Sequence, residues 1–338
     1  MNTPKIVFFE IKPWEIDYID GSFKDYEVEY AEDKLSYDNA EKYSDVEVIS
    51  SFIGSAFNAE VLSKLKSLKM IATRSTGFDH IDLDYCSKHN ILVSNVPSYG
   101  ENTVAEHAMA LLLSLARRIP ESLDRVRANN FTPEGLTGMD LKGKVMGILG
   151  TGHIGKNIIN YTLAFGMKVI AYDLYPDEKY ASEAGFSYAD LDYLIAKSDV
   201  ISLHLPYNKD THHIINKETI SKMKDGVIVI NTARGGLIET DALFDGLSSG
   251  KVGFAGLDVL EEEKFLSEEI ALLHMDNHGS VDFKVALENY MMAHLPNVII
   301  TPHNAFNSKE ALERIIKSTI DNVECYFNGF SKNLVSNS

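Results

Sequence analysis

Residues 145–155, VMGILGTGHIG, carry the most specific fold signal of this chain. Its first five residues form an apolar run typical of a buried strand, and apolar residues with helical spacing follow it. Between them, Gly150 permits a tight turn, Gly152 lets the backbone approach a pyrophosphate, and Gly155 lets the helix pack on the strand. The N–H groups at the start of that helix then face the negative charge. The stretch predicts a strand–turn–helix unit that binds a dinucleotide.

An acidic residue follows this unit at the distance that a dinucleotide requires. Asp173 lies 18 residues after Gly155 and ends the apolar run 168–172. A carboxylate there accepts hydrogen bonds from the adenosine ribose hydroxyls and repels a 2′-phosphate. The next residues, 174–178, contain no Arg and add further acid. The pattern therefore favours NAD over NADP.

Other interpretations of the glycine turn remain open from the motif alone. The glycines could serve only a tight strand-to-helix turn, and a similar sheet could bind another nucleotide such as S-adenosylmethionine. A Walker-type phosphate loop is excluded, because no Gly-Lys-Ser/Thr sequence follows the turn.

Composition limits the class of protein. The 338 residues suggest two domains, and 45% hydrophobic residues suffice for a core without metal or disulfide cross-links. With 32 Lys and Arg against 49 Asp and Glu, the formal net charge of −17 disfavours nucleic acid and anionic membrane surfaces as partners. Cys86 and Cys325 form neither a disulfide framework nor a paired metal-ligand motif. Because we find neither a signal peptide nor a membrane-spanning run, we expect a cytoplasmic protein.

Short apolar runs alternate with stretches of helical spacing along the chain. One set of runs lies within residues 6–93 and a second within residues 145–300. Most are continuously apolar, as parallel strands covered on both faces are. The alternation predicts right-handed βαβ units and an α/β fold with two doubly wound parallel sheets.

Two long helices are predicted at the seam between the two sets, one after the first set in the chain and one after the second. One is expected to begin at Thr103, which has the form of a capping box with the Glu three residues later. The other spans about residues 308–327. A chain that builds one sheet, crosses to a second and returns predicts a discontinuous domain, residues 1–102 plus 305–338, and a continuous one, residues 103–304.

Two further segments lack a strand pattern. Residues 261–295 are rich in Glu, His, Met and Asn, and we interpret them as a partly helical insertion. The chain end, residues 331–338, is expected to be frayed.

Polar side chains with catalytic potential follow strands of the second set, where open α/β sheets bind ligands. Arg234 stands before a glycine pair, where a guanidinium can bind a carboxylate through two parallel hydrogen bonds. Asp258 and Glu263 follow one apolar run, and His303 follows another. A carboxylate beside a His raises the imidazole pKa, so the ring can deliver a proton near neutral pH. Spacing alone does not bring these side chains together, since each could be a surface or structural residue.

The motifs around these positions resemble those of a known family. NTARGG (231–236), GLDV (256–259) with Glu263, TPHNA (301–305) and GFDHID (77–82) are similar to signatures of the D-isomer-specific 2-hydroxyacid dehydrogenase family. The resemblance extends from about residue 6 to residue 329. NVPSY (95–99) and PHNAF (302–306) further resemble its D-lactate dehydrogenase branch. The resemblance implies a flavodoxin-like substrate-binding domain for residues 1–102 plus 305–338 and a Rossmann NAD-binding domain for residues 103–304.

The resemblance also implies catalytic roles. Arg234 would bind the substrate carboxylate and orient the 2-oxo group. His303 would protonate that oxygen as hydride arrives from NADH, and Glu263 would hold His303 in its protonated form. No metal is needed for this reaction.

Substrate and cofactor contacts follow from the same resemblance. Backbone N–H groups around Thr76 and Gly77 would complete the carboxylate site, and Tyr99 and Phe306 would line the side-chain pocket, with ordinary cleft packing as the alternative. The implied NAD contacts are Gly150, Gly152, His153, Ile154, Gly155, Asp173, Leu205, Pro206, Thr211, Thr232, Ala233 and Asp258.

The implied activity is an NAD-dependent D-2-hydroxyacid dehydrogenase acting on a small 2-oxo acid, with pyruvate and D-lactate as the first expectation. Asn304 and Asn307-Ser308 depart from the pattern of lactate enzymes, so phenylpyruvate, 2-oxoisocaproate and hydroxypyruvate remain alternatives. A non-enzymatic NAD-sensing module, similar to the corepressor branch of the family, is the alternative from a different class. The segment 122–142 resembles the arm through which family members dimerise, so a homodimer is expected.

Overall fold

Residues 3–261 and 283–335 are described in a computed structural model. The elements in chain order are β1 (Lys5–Phe8), α1 (Pro13–Ile19), β2 (Glu27–Tyr30), β3 (Val48–Ser51), α2 (Ala59–Leu62), β4 (Met70–Thr73), α3 (Leu83–Lys88), β5 (Leu92–Ser94), α4 (Glu101–Ala116), α5 (Ile119–Arg127), β6 (Val145–Leu149), α6 (His153–Ala164), β7 (Lys168–Tyr172), α7 (Glu178–Ala184), β8 (Ser187–Tyr188), α8 (Leu191–Lys197), β9 (Val200–Leu203), α9 (Lys217–Lys222), β10 (Val227–Asn231), α10 (Thr240–Ser249), β11 (Val252–Leu257), α11 (Phe283–Ala293), β12 (Val298–Ile300) and α12 (Lys309–Phe327).

The chain divides into two compact units. The first unit comprises Met1–Gly100 and Asn307–Ser338, and the second comprises Glu101–Phe306.

The first unit contains a parallel sheet with the strand order β2-β1-β3-β4-β5. This is the flavodoxin-like order of a doubly wound sheet. Adjacent residues of one strand pack on opposite faces: Ile49 joins the core on one side, and Val48 joins Ile316 of α12 on the other. Strands covered on both faces explain the continuous apolar runs in the sequence.

The second unit contains a parallel sheet with the order β12-β11-β10-β9-β6-β7-β8. The chain starts at β6, proceeds outward through β7 and β8, and returns to β9 on the other side of β6. Ligands of such sheets bind beyond the carboxyl ends of the strands at this reversal. The predicted fold class, two doubly wound parallel sheets in an α/β protein, is confirmed.

Both predicted long helices are present, and the start of α4 lies two residues earlier than predicted. α12 begins after Ser308, whose hydroxyl oxygen accepts a hydrogen bond from the Ala311 N–H at 3.2 Å. α4 begins at Glu101, and Thr103 is buried within its first turn rather than capping it. α11 supplies a helical part of the expected insertion, and residues 262–282 lie outside the described residues. Among the described residues, every helix is too short or too polar to cross a lipid bilayer.

The expectation of a frayed chain end is wrong for residues 333–335. Asn95 N–H donates to Asn333 O at 3.1 Å, and Val335 N–H donates to Val93 O at 2.9 Å. Ser94 and Leu334 form an antiparallel bridge. The tail therefore satisfies polar backbone groups along β5, which is the edge strand of its sheet.

Candidate active site

The turn after β6 needs glycine at two positions for reasons of backbone packing. Gly150 has φ +96°, and a Cβ atom there would lie 2.7 Å from the carbonyl oxygen of His204 in the loop after β9. A Cβ at Gly155 would lie 2.1 Å from the carbonyl oxygen of Gly150. At Gly152 a Cβ would meet nothing within 4 Å. The first and third glycines thus serve the protein's own packing, and the second faces open space that a pyrophosphate can approach.

The start of α6 offers hydrogen-bond donors to an anion. Gly152 is the N-cap of α6 and, as a glycine, has no side chain with which to cap the first turn. The N–H groups of that turn therefore keep their capacity to bind negative charge. His153 lies exposed at the first position of the helix, and Ile154 packs half-buried against the core.

A second feature at the same edge of the sheet also fits a bound dinucleotide. Thr232 follows β10 and is 8% exposed, and its hydroxyl oxygen has no hydrogen-bond partner among the described residues. Buried polar atoms are nearly always paired, so such an atom beside a candidate ligand site is one that a ligand would satisfy. The residues present fit NAD.

Asp173 is held as a carboxylate at the end of β7. Its Oδ2 accepts hydrogen bonds from the Thr151 N–H at 2.6 Å and from the Thr151 hydroxyl at 2.9 Å, and its Oδ1 accepts one from the Tyr175 N–H at 2.9 Å. Burial by itself would raise the pKa of Asp173, but these hydrogen bonds outweigh it and hold the pKa below its ordinary value. The side chain is therefore ionised at neutral pH, as discrimination against a 2′-phosphate requires.

The loop after β9 is closed by Thr211. Its hydroxyl donates to the carbonyl oxygen of Pro206 at 2.7 Å and accepts from the Asn208 N–H at 2.9 Å. Leu205 points into the core beside it. His204 Nε2 bonds to Ser202 Oγ at 2.8 Å, and burial lowers the pKa of His204 to about 4, so its ring is neutral. The geometry agrees with the expectation that His204 shapes this loop.

Arg234 is presented by a turn that Asn231 holds. The Asn231 side chain accepts from the Ala233 N–H at 3.0 Å and donates to the carbonyl oxygen of Arg234 at 2.9 Å, and Arg234 Nη1 donates to the carbonyl oxygen of Ala233 at 2.8 Å. A Cβ at Gly235 would lie 2.1 Å from the backbone of Leu260. The glycine after Arg234 thus lets its turn lie against the segment that follows β11.

His303 lies on a loop that is held by hydrogen bonds to Asp258. Asp258 is 1% exposed, and its Oδ1 and Oδ2 accept hydrogen bonds from the N–H groups of Asn304 and Ala305, each at 2.8 Å. The His303 N–H donates to the carbonyl oxygen of Asp258 at 2.9 Å. His303 itself has φ +50°, a left-handed conformation that costs free energy outside glycine and that the surrounding contacts must impose.

The charge of Asp258 belongs to this arrangement. Burial would raise the pKa of Asp258, but hydrogen bonds from His107, Thr301 and the two backbone N–H groups outweigh it and lower the pKa. The Asp258 carboxylate, which contacts the loop of His303, therefore stays ionised. Its oxygens are directed at this loop, so the structure gives Asp258 a positioning contact with His303.

Sequence reasoning missed three residues of this region: Asn231, Thr301 and His107. Asn231 and Thr301 belong to the motifs NTARGG and TPHNA. Their position near the site was therefore predictable, but the groups to which they hydrogen-bond were not. His107 lies on α4, and its Nε2 is 3.0 Å from Thr301 Oγ1, a residue 194 positions away in the chain. The sequence signal for His107 was weak: an imidazole on a helix whose later turns are largely apolar.

The predicted substrate residues are divided between the two units. Arg234, His303 and Phe306 belong to the second unit, where β10, β11 and β12 are adjacent and carry Arg234, Asp258 and His303 beyond their carboxyl ends. Glu263 lies outside the described residues.

Thr76, Gly77 and Tyr99 belong to the first unit and follow the adjacent strands β4 and β5. The Thr76 hydroxyl donates to Val96 O at 2.8 Å, and the carbonyl oxygen of Tyr99 accepts a hydrogen bond from Arg314 Nε. Within residues 3–261 and 283–335, no group of three or more His, Cys, Asp and Glu side chains is placed to hold a metal ion.

Comparison with known proteins gives a family match. The family model described as D-isomer specific 2-hydroxyacid dehydrogenase, NAD binding domain, matches residues 109–305. The match covers more than half of the chain and most of the second unit.

Similar proteins span nearly the whole chain. The crystal structure of D-lactate dehydrogenase from Aquifex aeolicus complexed with NAD and lactic acid superposes with a TM-score of 0.88, at 39% identity, covering 98% of this chain and 99% of that one. An aromatic 2-oxoacid reductase of Clostridium sporogenes is 37% identical over 95% of both chains. D-lactate dehydrogenase of Escherichia coli is 35% identical over 94% of this chain and 95% of its own.

Proposed function

Because the chain belongs to the D-isomer-specific 2-hydroxyacid dehydrogenase family and its cofactor is NAD, we propose that it interconverts pyruvate and D-lactate. The observation that carries this proposal is the succession of Arg234, Asp258 and His303 beyond three adjacent strands of the NAD-binding unit. A cation for a carboxylate and an imidazole for a carbonyl oxygen are the two groups that reduction of a 2-oxo acid requires.

Arg234 binds and orients the substrate in this proposal. Its guanidinium presents parallel N–H donors to the carboxylate, which aligns the adjacent 2-oxo group. The Asn231 contacts and the glycine after Arg234 hold the turn, so less rotational freedom is lost when the substrate binds. The backbone around Thr76 and Gly77 in the first unit is proposed to complete the carboxylate site.

His303 moves the proton. Bound NADH supplies the hydride for the 2-oxo carbon. As negative charge develops on the carbonyl oxygen, the His303 imidazolium donates its proton to that oxygen, and in the reverse direction the neutral ring accepts it. Arg234 and protonated His303 stabilise the developing charge more than they stabilise the ketone, which lowers the barrier. Glu263 is proposed to favour the protonated ring.

An aromatic 2-oxo acid is the second candidate substrate. It is supported by the aromatic 2-oxoacid reductase of Clostridium sporogenes, whose 37% identity to this chain lies between the 35% and 39% of the two D-lactate dehydrogenases. Tyr99 and Phe306 are proposed to line the side-chain pocket. Asn304 and the pair at 307–308 differ from the usual lactate pattern close to that pocket. Size discrimination in an apolar pocket is modest, about 1–3 kcal/mol per methylene, so both substrates could turn over.

A steady-state survey tests the proposal. NADH oxidation is measured with pyruvate, 2-oxobutyrate, phenylpyruvate, 2-oxoisocaproate and hydroxypyruvate, and the configuration of each product is determined by chiral chromatography. We expect the highest kcat/KM with pyruvate and a D product. A higher value with phenylpyruvate would transfer the proposal to the aromatic substrate. NADH binding without turnover on every acid would instead support an NAD-sensing module.

Arg234→Gln provides a control for substrate binding in the same assay. It should raise the KM of the 2-oxo acid strongly while leaving the Kd of NADH within about twofold, because the guanidinium is proposed to bind the substrate carboxylate and not the cofactor. An equal loss of NADH affinity would contradict the assigned role.

We also propose a homodimer formed through α5 and the segment after it. Ile119, Leu123 and Val126 lie one turn apart on α5 and are 45%, 50% and 47% exposed, and Phe131 beyond them is 75% exposed. An exposed apolar row of this kind is typical of an interface. Leu123→Asp should lower the molecular mass measured by analytical ultracentrifugation, whereas Tyr193→Asp, at an equally exposed position on α8, should not. An unchanged mass in Leu123→Asp would contradict this interface.

The proposed location is the cytoplasm. Cys86 is buried and Cys325 half-buried, and neither forms a disulfide within the described residues. Free thiols suit a reducing compartment.

A further inference from the structure

We propose that His107 is a positioning residue for the proton-transfer step, acting on His303 through Thr301 and Asp258. The inference rests on the proposed role of His303 as the proton donor. It assigns a task to a side chain of α4 that no motif of the active site contains. The polar contacts of His107 are with Thr301 and Asp258, so its effect on His303 is indirect.

The contacts of His107 converge on the loop that carries His303. Its Nε2 lies 3.0 Å from Thr301 Oγ1 and 3.4 Å from Asp258 Oδ1. The Thr301 hydroxyl in turn donates to Asp258 Oδ1. The side chain of His107 is 20% exposed and that of Asp258 1% exposed, so these polar contacts are shielded from water. Shielded hydrogen bonds of this kind are costly to break.

The direction of these hydrogen bonds assigns the proton of His107. The Thr301 hydroxyl has a single proton, and it donates that proton to Asp258. Its oxygen can therefore only accept from His107, which requires the proton on Nε2 of the imidazole. The chain of donors runs from His107 through Thr301 to the Asp258 carboxylate. Replacement of His107 by a side chain without a donor would leave Thr301 Oγ1 without this partner.

Asp258 transmits the effect to His303. The same carboxylate accepts from the N–H groups of Asn304 and Ala305, and the backbone of Asp258 and Thr301 accepts from the His303 N–H at 2.9 Å each. His303 is held at φ +50°, a conformation that persists only when surrounding contacts over-determine it. A shift of Asp258 or Thr301 therefore displaces the imidazole from the orientation in which it meets the carbonyl oxygen. Displacements of about 1 Å can cost about 10²-fold in rate.

Attachment of α4 to the sheet does not depend on His107. A Cβ at Gly256 of β11 would lie 3.1 Å from Leu111 Cβ and 3.2 Å from Leu115 Cδ1, so α4 packs closely on the sheet through apolar side chains. Ala105, Leu111, Leu112 and Leu115 belong to the same core cluster as the sheet residues Ile228 and Ile230. The polar contacts of His107 are thus additional to this packing and are directed at the loop of His303.

The test compares two substitutions that differ in hydrogen bonding. His107→Leu removes the donor and keeps comparable volume, and His107→Gln restores an N–H donor. His107→Leu should lower kcat about 10- to 100-fold, with the Kd of NADH changed by less than about twofold. His107→Gln should recover most of the lost kcat. His294→Leu, the same replacement at an exposed position after α11, should leave kcat unchanged.

Thr301→Val tests the same chain of hydrogen bonds at a second residue. It removes the hydroxyl that links His107 to Asp258 and should lower kcat to a similar extent. The double variant His107→Leu/Thr301→Val should be little worse than either single variant, because both break one chain of hydrogen bonds. Should His107→Leu fail to fold, as judged by circular dichroism, His107→Gln and Thr301→Val still decide the question.

Three outcomes would overturn the inference: a normal kcat in both His107→Leu and Thr301→Val, a parallel loss of NADH affinity, or equal rates in the Leu and Gln variants. A His303→Gln variant in the same series separates this inference from the proposed function. If His303→Gln keeps its turnover, the proposed acid is wrong; if it loses turnover while the His107 variants do not, only the role of His107 is refuted.

Discussion

The turn after β6 and the loop after β12 lie at the same edge of one sheet, yet they are held in different ways. The turn after β6 depends on steric packing of the backbone, because Gly150 and Gly155 each approach a carbonyl oxygen too closely for a side chain. The loop after β12 depends on side chains, because Asp258 and His107 hold it from another strand and from α4. The cofactor half of the site is therefore marked by a short glycine motif in the sequence, and the proton-transfer half is assembled from segments whose contacts no short motif reveals.

The largest effect that distinguishes the proton-transfer half from the cofactor half is expected from His303→Gln. Loss of the general acid should lower kcat in both directions by about 10²- to 10⁴-fold. The turn after β6 is untouched, so the Kd of NADH, measured by fluorescence titration, should stay within about twofold. A comparable loss of NADH affinity would show that the two halves are not independent.

Substitution of the glycines tests the cofactor half of the site. Gly150→Ala forces a Cβ against the backbone of His204 and Leu205 at a residue with φ +96°, which should lower the free energy of unfolding by about 3 kcal/mol. Gly152→Ala meets nothing within 4 Å, so it should leave stability unchanged while weakening NADH binding, because the methyl group fills the space for the pyrophosphate. Thermal unfolding and NADH titration measure the two effects. Equal destabilisation by both substitutions would contradict the division of roles among the glycines.

Asp258→Asn probes the side-chain network through its pH dependence. The amide accepts fewer hydrogen bonds and carries no charge, so the free energy of unfolding at pH 7 should fall by about 2 kcal/mol. The pKa of Asp258 is lowered in the folded protein, so its contribution is fully present above the ordinary carboxyl pKa of about 3.9 and is lost as pH falls through the lower folded pKa.

The stability difference between wild type and Asp258→Asn should therefore be constant above about pH 5 and shrink below about pH 4. Urea titrations across this range provide the measurement. A difference that stays constant below pH 4 would mean that the charge of Asp258 does not support the loop.

The smallest effect is expected from Asp173→Ala. Removal of the carboxylate should shift the ratio of kcat/KM for NADPH and NADH toward NADPH by roughly tenfold, because the repulsion at a half-buried site is partly screened. kcat with NADH should change little. An unchanged preference would show that the ribose is recognised by other residues.

Much of the fold could be predicted because its signals are local. The strand and turn at 145–155, Asp173 at the end of β7, and the helix over 309–327 follow from apolar runs, glycines and helical spacing of apolar residues. The frayed end was mispredicted because residues 333–335 have no strand pattern of their own, and they pair only because β5 offers an open edge. Edge pairing is a property of the folded sheet.

Local apolar periodicity and glycine placement were enough to define the parallel strands, the dinucleotide turn and its acidic partner, since a strand, a turn and a helix start are each specified within about ten residues. Folding in three dimensions was needed to bring Asp258, Thr301 and His107 together beneath His303 and to hold that residue at φ +50°. The physical reason is range: apolar periodicity and turn glycines are patterns of neighbouring residues that the sequence shows directly, whereas buried hydrogen bonds join whichever polar groups the completed sheet and helix place within about 3 Å.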